Sequence, residues 1–353
     1  MLAVALATGV GATALVLHDR SRTEARFDPA MIYRQRNRSV VTVVAGSTGG
    51  STGSGFVADS SRGLIVTASH VVTNSFSADD PSRVRARSPI EVAFADGTGA
   101  TARLVGYDLF SDTAVLAVEG PLPPALPMAR ADTLQVGDPI AVIGSPNDER
   151  GSLSTGVVSQ LGRSLDAPGG VCFLTTGAVQ TDAAISPGSS GSPVLDAAGS
   201  LVAMATQRER DASGIAYAVP VATIRRSLTQ LLASGRVRYA WLGVDAVTLT
   251  PGLARILGIP PARGALVRAV QPGGSAAAAG IHGGSRTVVI AGERYAPGGD
   301  VITAVDGTRV RSYADLDRAI QQHAPGDRIR VMLRRTTVEL ELLARPATAE
   351  ACR

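Results

Sequence analysis

One texture constrains the fold of this chain more than any other feature. From residue 39 it reads as short β-branched runs, SVVTVVAG, GSGFVAD, GLIVTASHVV, IEVAFADG, ATARLVGYD and DTAVLAVEG, each cut by Gly, Asp or Pro. Such runs are too short for helices, and the turn residues between them favour strands that fold back on their neighbours. After the Pro-rich PLPPALP (121–127) the pattern resumes with DPIAVIGSP, GSLSTGVVSQL, FLTTGAVQTD, GSPVLDAAGSLVAMATQ and GIAYAVP. Two successive six-strand sets joined by a Pro-rich connector predict a mainly β fold of two six-stranded antiparallel barrels.

The texture changes after residue 220. VATIRRSLTQLLASG (221–235) carries Ile224, Leu228, Leu231 and Leu232 at helical spacing, with Gly235 as its C-cap. Residues 236–240 read as a linker. A smaller α+β unit follows over 241–345. Its predicted strands are WLGVDAV, GALVRAV, TVVIAG, DVITAVDG, RIRVMLRR and VELELLA. SAAAAG (275–280) is a short helix, and SYADLDRAIQQH (312–323) is a helix with Ser312 as N-cap and Asp315 in a capping-box position. Segment 283–299 reads as a hairpin, and residues 346–353 as a tail.

Composition narrows the chemistry. The 353 residues include 34 basic and 30 acidic side chains, for a net charge of +4. The positive charge is spread along the chain without a basic–aromatic stripe, so nucleic acid is not expected as a partner. There is no lysine at all, which excludes a P-loop lysine, a Schiff base and a Ser–Lys dyad. The two cysteines, Cys172 and Cys352, have no metal-ligand spacing. A disulfide between them stays open; a small apolar role for Cys172 is favoured. His18, His282 and His323 are scattered, and no cofactor or metal is expected.

Residues 2–17, LAVALATGVGATALVL, are uncharged. The stretch is short for a spanning helix, which needs about 20 residues, and it fits a signal-peptide core or a membrane anchor. Ala12-Thr13-Ala14 has the small-x-small form of a cleavage site. Arg20, Arg22 and Arg26 follow the segment while none precedes it, against the usual bias of positive charge toward the cytoplasm. A start further upstream would resolve that conflict. The expected location is extracytoplasmic, secreted or anchored. Residues 18–38 form an N-terminal segment with Phe27, Ile32 and Tyr33 as isolated apolar points.

Three segments carry candidate chemistry: LIVTASHVV with His70 at a strand end, FSDTAVLAV with Asp112 opening a strand, and ISPGSSGSPVL with Ser190 in a Gly/Ser turn. Attack by a serine hydroxyl needs a base for its proton, a carboxylate to orient that base, and backbone N–H groups for the oxyanion. Glycine before the nucleophile lets the backbone aim those N–H groups, so Gly188 and Ser190 are the expected oxyanion donors. The order His–Asp–Ser differs from the Ser–Asp–His order and G-x-S-x-G elbow of α/β-hydrolases. It fits two β-barrels.

GSGFV (53–57), VTASHVV (66–72), SDTAVLAV (111–118), VGDPIAVIGSP (136–146), TDAAISPGSSGSPVLD (181–196) and IAYAVP (215–220) resemble the protease domain of the HtrA/Deg family of chymotrypsin-like serine proteases. Residues 39–235 are thereby read as the protease domain, and 241–345 resemble that family's PDZ domain. The chain departs from the family at Ser189, where Asn is usual, at Gly191-Ser192, where Gly-Gly is usual, and at Ser69, often Ala. These departures put the oxyanion hole in question.

The resemblance implies an endopeptidase acting on unfolded or regulatory proteins. It implies a specificity pocket of Ala183, Ala184, Ile185, Ile215 and Ala216 that prefers small aliphatic residues before the cut. It also implies capture of C-terminal peptides by Trp241, Leu242, Gly243 and Val244, with Leu316 and Ile320 meeting the last side chain. A homotrimer packed through the N-terminal segment is implied too, with Phe27, Ile32 and Tyr33 as contacts, and with activation loops at 162–175 and 206–214. The competing expectation is a PDZ-containing chaperone or scaffold with weak or absent proteolysis.

Overall fold

The computed structural model describes residues 27–353 except 48–49, 76–82, 131–132, 146–150, 166–174, 209–213, 261, 291–292 and 347–353. Residues 2–17, both cysteines and much of the two candidate activation loops therefore lie outside the described residues. No described helix is long and apolar enough to cross a membrane.

A short helix α1 (Pro29–Arg36) opens the described chain. The Asp28 carboxylate accepts from the Met31 N–H at 3.0 Å and Pro29 sits at its first position, so its start is set by local chemistry. Six strands follow: β1 (Val40–Ala45), β2 (Ser51–Asp59), β3 (Leu64–Ala68), β4 (Ile90–Phe94), β5 (Gly99–Asp108) and β6 (Thr113–Val118). They close as β1-β2-β3-β6-β5-β4. A second set, β7 (Pro139–Gly144), β8 (Ser152–Leu165), β9 (Thr175–Thr181), β10 (Pro193–Leu195), β11 (Leu201–Arg208) and β12 (Ala216–Pro220), closes as β10-β11-β12-β9-β8-β7. All the pairings within both barrels are antiparallel. Closure removes the sheet edges. The two expected barrels are thus present, with the Pro-rich connector between them.

One boundary differs from the sequence reading. The run LIVTASHVV does not stay extended: β3 ends at Ala68, and Ser69–Val72 form a short helical turn, α2. Val71 and Val72 are β-branched, but they are fully buried among first-barrel side chains. Tertiary packing overrides their strand preference.

The barrels share a core. Ile32 of α1 and the inward faces of β1–β6 pack with Leu195, Leu201, Met204 and Val219 of the second barrel. Ile32 is 1% exposed, so it belongs to this chain's own core and is not a free oligomer contact; Phe27 and Tyr33 are half-buried. Helix α3 (Val221–Ser234) lays Ile224 and Leu231 onto the same core. It ends at Gly235 in the left-handed region (φ 70°), whose N–H bonds to the Leu231 carbonyl at 2.8 Å.

The C-terminal unit holds β13 (Ala240–Trp241), β14 (Val244–Leu249), α4 (Pro251–Ile256), β15 (Gly264–Val270), α5 (Ser275–Ala278), β16 (Val288–Ile290), β17 (Glu293–Tyr295), β18 (Val301–Val305), β19 (Thr308–Arg309), α6 (Tyr313–Gln321), β20 (Arg328–Leu333), β21 (Thr337–Glu341) and β22 (Leu343–Ala344). Its main sheet runs β14-β15-β18-β20-β21, with β14 at an edge. The expected hairpin over 283–299 is β16–β17. Ser312 caps α6 through the Asp315 N–H at 3.1 Å, while the Asp315 carboxylate reaches back to the Arg311 N–H at 3.0 Å, one residue beyond the usual capping-box partner.

Ile224 is fully buried where α3 meets the barrels. Ile224→Ala is expected to lower unfolding free energy by about 2–5 kcal/mol in a urea titration.

Candidate active site

Antiparallel pairing of β3 with β6 sets Ala68 opposite Thr113. The residues just past that pair, Ser69-His70 on one side and Asp112 on the other, therefore meet at the same barrel end. The Ser69 N–H donates to the Asp112 carbonyl at 3.1 Å. Asp112 has φ 52°, an unusual conformation for a residue with a side chain. That backbone turns its carboxylate inward, where Oδ2 lies 2.8 Å from His70 Nδ1. Oδ1 accepts from the His70 N–H at 3.0 Å and from Ser69 Oγ at 2.9 Å.

A fourth donor comes from the second barrel. The register of β11 against β12 shifts between Ala205 and Gln207, which leaves Thr206 out of the regular ladder. A bulge of this kind re-aims a side chain, and Thr206 Oγ1 donates to Asp112 Oδ2. Neither Thr206 nor the Ser69 contact is evident in the sequence. A threonine in a strand and a serine after one carry no signal until pairing brings them together.

Burial of Asp112 alone would raise its pKa. The charge and hydrogen bonds of His70, with the Thr206 hydroxyl, outweigh burial and hold the carboxyl below its ordinary range.

Ser190 lies in the turn before β10. Its Oγ donates to the Thr206 carbonyl at 3.0 Å, so one residue holds both the serine hydroxyl and the aspartate. The turn is braced from the first barrel by Ser54, which is fully buried. The Ser54 N–H donates to the Ser190 carbonyl at 2.7 Å, and Ser54 Oγ donates to the Gly188 carbonyl at 2.8 Å. The Ser54 oxygen in turn accepts from the Ser145 N–H at 2.9 Å. Gly188 has φ 92°. Among the described residues, neither the Gly188 nor the Ser190 N–H donates to a protein acceptor. Ser54 lies within the GSGFV run, but the sequence assigns it no part in holding the serine turn.

Ser192 packs tightly here. A side-chain carbon at Gly144 would run into Ser192 Oγ. That hydroxyl is buried without a hydrogen-bond partner. The serine where the family has glycine is thus accommodated by the missing side chain of Gly144 at the end of the adjacent strand β7.

The predicted specificity residues divide. Ile185 and Ala216 are buried in a small apolar cluster with Ala205. Ala205 is next to Thr206, and its carbonyl accepts from the Gly191 N–H at 2.8 Å. Ala183 instead packs inside the second barrel, and Ala184 is exposed. Neither joins the cluster: Ala184 alternates to the side opposite Ile185, and Ala183 is taken into the second-barrel core because the segment leaves regular strand after Thr181. Ile215 is half-buried just before β12.

In the C-terminal unit the predicted strand WLGVDAV is broken. β13 stops at Trp241, and Gly243 (φ 76°) turns the chain into β14. The carbonyls of Trp241, Leu242 and Gly243 accept from Ser275 Oγ, the Ala276 N–H and the Gln271 N–H at 3.0, 2.8 and 2.8 Å. The Leu242 and Gly243 N–H groups donate to no described acceptor. Val244 is half-buried and begins the edge strand. Leu316 and Ile320, expected to meet the last side chain of a bound peptide, are buried in the unit's core. Helix α6 uses its strongest apolar stripe to cover the sheet, so those positions are already satisfied. No cluster of His, Cys, Asp and Glu able to hold a metal occurs among the described residues.

Residues 53–204 match the trypsin-like peptidase domain family and residues 240–343 match the PDZ domain family. The putative serine proteases HhoA and HhoB of Synechocystis are 32% and 31% identical to this chain over 84% of its length, which spans 70% and 66% of theirs. A probable periplasmic serine endoprotease, DegP-like, of Brucella suis is 33% identical over 78% of the chain, spanning 48% of that relative. The solved HtrA-type protease AlgW with tripeptide superimposes with a TM-score of 0.72 at 27% identity, covering 90% of this chain and 98% of AlgW. A serine endoprotease from Yersinia pestis does so with a TM-score of 0.64 at 25% identity, covering 90% and 98%.

Two outcomes are expected from this geometry. Gly144→Ala should destabilise the fold by about 1–3 kcal/mol, as overpacking does, and the loss should shrink in a Ser192→Gly background, measured by denaturant unfolding. The depressed Asp112 pKa stabilises the folded state above the carboxyl's unfolded value of about 3.9. That stability should disappear as pH falls below it toward the folded pKa. The stability gap between the natural chain and Asp112→Asn should therefore be full near neutrality and narrow through this acid window.

Proposed function

Because this chain belongs to the HtrA/DegP family of serine proteases, we propose that it is a serine endopeptidase that cuts unfolded or regulatory proteins through an acyl-enzyme. The observation that carries the reading is the seam between the barrels. There a buried, charge-stabilised Asp112 contacts His70, and Thr206 ties the same aspartate to the Ser190 hydroxyl.

His70 is the general base. With the Nδ1 proton shared with Asp112, Nε2 carries the lone pair that takes the Ser190 proton. The Ser190 oxygen bonds to the scissile carbonyl carbon, and the carbonyl π electrons move onto oxygen. The N–H groups of Gly188 and Ser190 receive that oxyanion. Collapse expels the amine, which takes its proton from His70, and water then releases the acyl group by the reverse sequence. For this the Ser190 hydroxyl exchanges its contact with the Thr206 carbonyl for one with His70, since a carbonyl is too weak a base to take the proton.

Ile185, Ala205 and Ala216 form the floor of the specificity pocket and favour small aliphatic side chains before the cut. The Leu242 and Gly243 N–H groups capture the terminal carboxylate of a peptide that adds as a strand along the β14 edge. That occupancy regulates the protease. The active form is a homotrimer packed through the N-terminal segment, with Phe27 and Tyr33 in contact. The location is extracytoplasmic, a reading supported by its similarity to periplasmic endoproteases of Brucella and Salmonella, with residues 2–17 as signal or anchor.

A fluorophosphonate probe tests the reading directly. Labelling is expected at Ser190 alone, and Ser190→Ala should abolish cleavage of denatured casein without changing thermal unfolding. Undiminished cleavage by Ser190→Ala would overturn the assignment. A folded protein that binds hydrophobic C-terminal peptides but takes no label would establish the scaffold alternative.

A further inference from the structure

The turn that carries Asp112 begins at a second buried carboxylate. Asp108, at the end of β5, is 3% exposed. Its Oδ1 accepts from the Phe110 N–H at 3.1 Å, fixing the first half of the turn. Its Oδ2 accepts three hydroxyls from three parts of the chain: Ser111 at 2.5 Å, Ser227 of α3 at 2.6 Å, and Tyr239 of the 236–240 linker at 2.5 Å. Three donors on one buried oxygen exceed what local turn formation needs. Ser111 is the residue before Asp112, so its side-chain anchor bears directly on the unusual φ of 52°.

Tyr239 is one point of contact with the C-terminal unit, through its carbonyl and Arg345. Burial first, and then the Asp108 charge, push its pKa far above the ordinary tyrosine range. It therefore remains an O–H donor at any pH the protein meets. Phe110 meets its ring edge-on at 5.2 Å. The Arg226 guanidinium lies 4.7 Å from the Tyr239 ring centre, and the Arg345 guanidinium 4.5 Å from that of Phe110. Arg345 comes from the end of the C-terminal unit, and its N–H donates to the Tyr239 carbonyl at 2.8 Å. Arg226 donates to the Gln321 carbonyl of α6 at 3.2 Å. Two rings between two guanidiniums thus form a stack that Asp108 anchors through the Tyr239 hydroxyl.

We propose that Asp108 is a positioning residue for Asp112. Through Ser111 it fixes the turn that presents Asp112 to His70, and through Tyr239 it makes that turn depend on how the linker and the C-terminal unit are seated. This rests on the serine-protease reading above, because positioning matters only if Asp112 serves His70. Asp108 touches no reacting atom. Its effect passes through the backbone of residues 109–112.

The experiment is the rate of fluorophosphonate labelling at Ser190 as a function of pH, in the full-length chain, for Asp108→Asn, Tyr239→Phe and the double variant. Small displacements of catalytic groups reduce rates by about 10–100-fold. Asp108→Asn is expected to slow labelling within that range and to displace the midpoint of the pH–rate profile. Tyr239→Phe removes one hydroxyl and keeps the ring stack, and should displace the same midpoint in the same direction by less. Because both act through one network, the double variant should be no slower than Asp108→Asn alone.

A merely structural network would lower thermal stability and leave the pH midpoint of the folded fraction where it is. Folded Asp108→Asn with the natural rate and midpoint would overturn the proposal. If Asp108→Asn fails to fold, Tyr239→Phe decides it: an unchanged midpoint rejects the proposal and a displaced one supports it. Failure of the natural chain to label at Ser190 would instead reject the protease reading, so the two failures are distinguishable.

Discussion

The contact on which the site depends is the one between Ser54 of the first barrel and the Gly188–Gly191 turn of the second. Two closed barrels have no free edges, so they can meet only through side chains and turns. Here the Ser54 backbone and hydroxyl hold the Ser190 and Gly188 carbonyls at 2.7 and 2.8 Å. Their approach leaves no room for side chains: a Cβ at Gly191 would strike the Ser54 carbonyl. This is a close backbone approach of the kind only glycine permits. Holding those two carbonyls fixes the backbone on both sides of Ser189, whose own N–H donates to the Ser186 carbonyl at 2.9 Å. The conformation of the serine turn is therefore held by the barrel seam and not by the turn alone.

A second constraint is electrostatic. Asp112 and Asp108 are both buried carboxylates, four residues apart, and each is surrounded by hydroxyl and N–H donors drawn from several elements. An isolated buried charge costs several kcal/mol unless paired or hydrogen-bonded. The fold meets that cost with short polar side chains, Ser69, Thr206, Ser111 and Ser227, placed by strand register and helix packing. Arginine supplies the cations around this region, as it must in a chain without lysine. Its planar group stacks on Phe110 and Tyr239 in a way a lysine ammonium could not. The interface with the C-terminal unit is consequently built from stacked rings and guanidiniums close to the aspartate turn.

The C-terminal unit presents an edge strand and a pair of unoccupied N–H groups, but its helix α6 turns Leu316 and Ile320 into its own core. Those two side chains are thus committed to the unit's own packing. The opposite face of α6 meets β8 and β9, beside which the 166–174 loop begins and ends. One helix thus contacts both the β14 edge strand and the second barrel.

The sequence by itself determined the two barrels, the helix between them and the C-terminal unit, because alternating β-branched runs and their Gly and Pro stops are local signals. It also singled out His70, Asp112 and Ser190, since each sits in a recognisable run whose order matches one catalytic arrangement. What only the tertiary structure decided was what surrounds them. Thr206 reaches Asp112 through a bulge, Ser54 reaches Gly188 across the barrel seam, and Asp108 collects donors from as far along the chain as Tyr239. Tertiary packing also removed Ile32 from the surface, sent Ala183 into the barrel interior and Ala184 to solvent, and turned Ser69–Val72 from strand to helix. Serine, threonine and alanine carry little pattern of their own. Their roles come from long-range register and burial, which a linear sequence does not display.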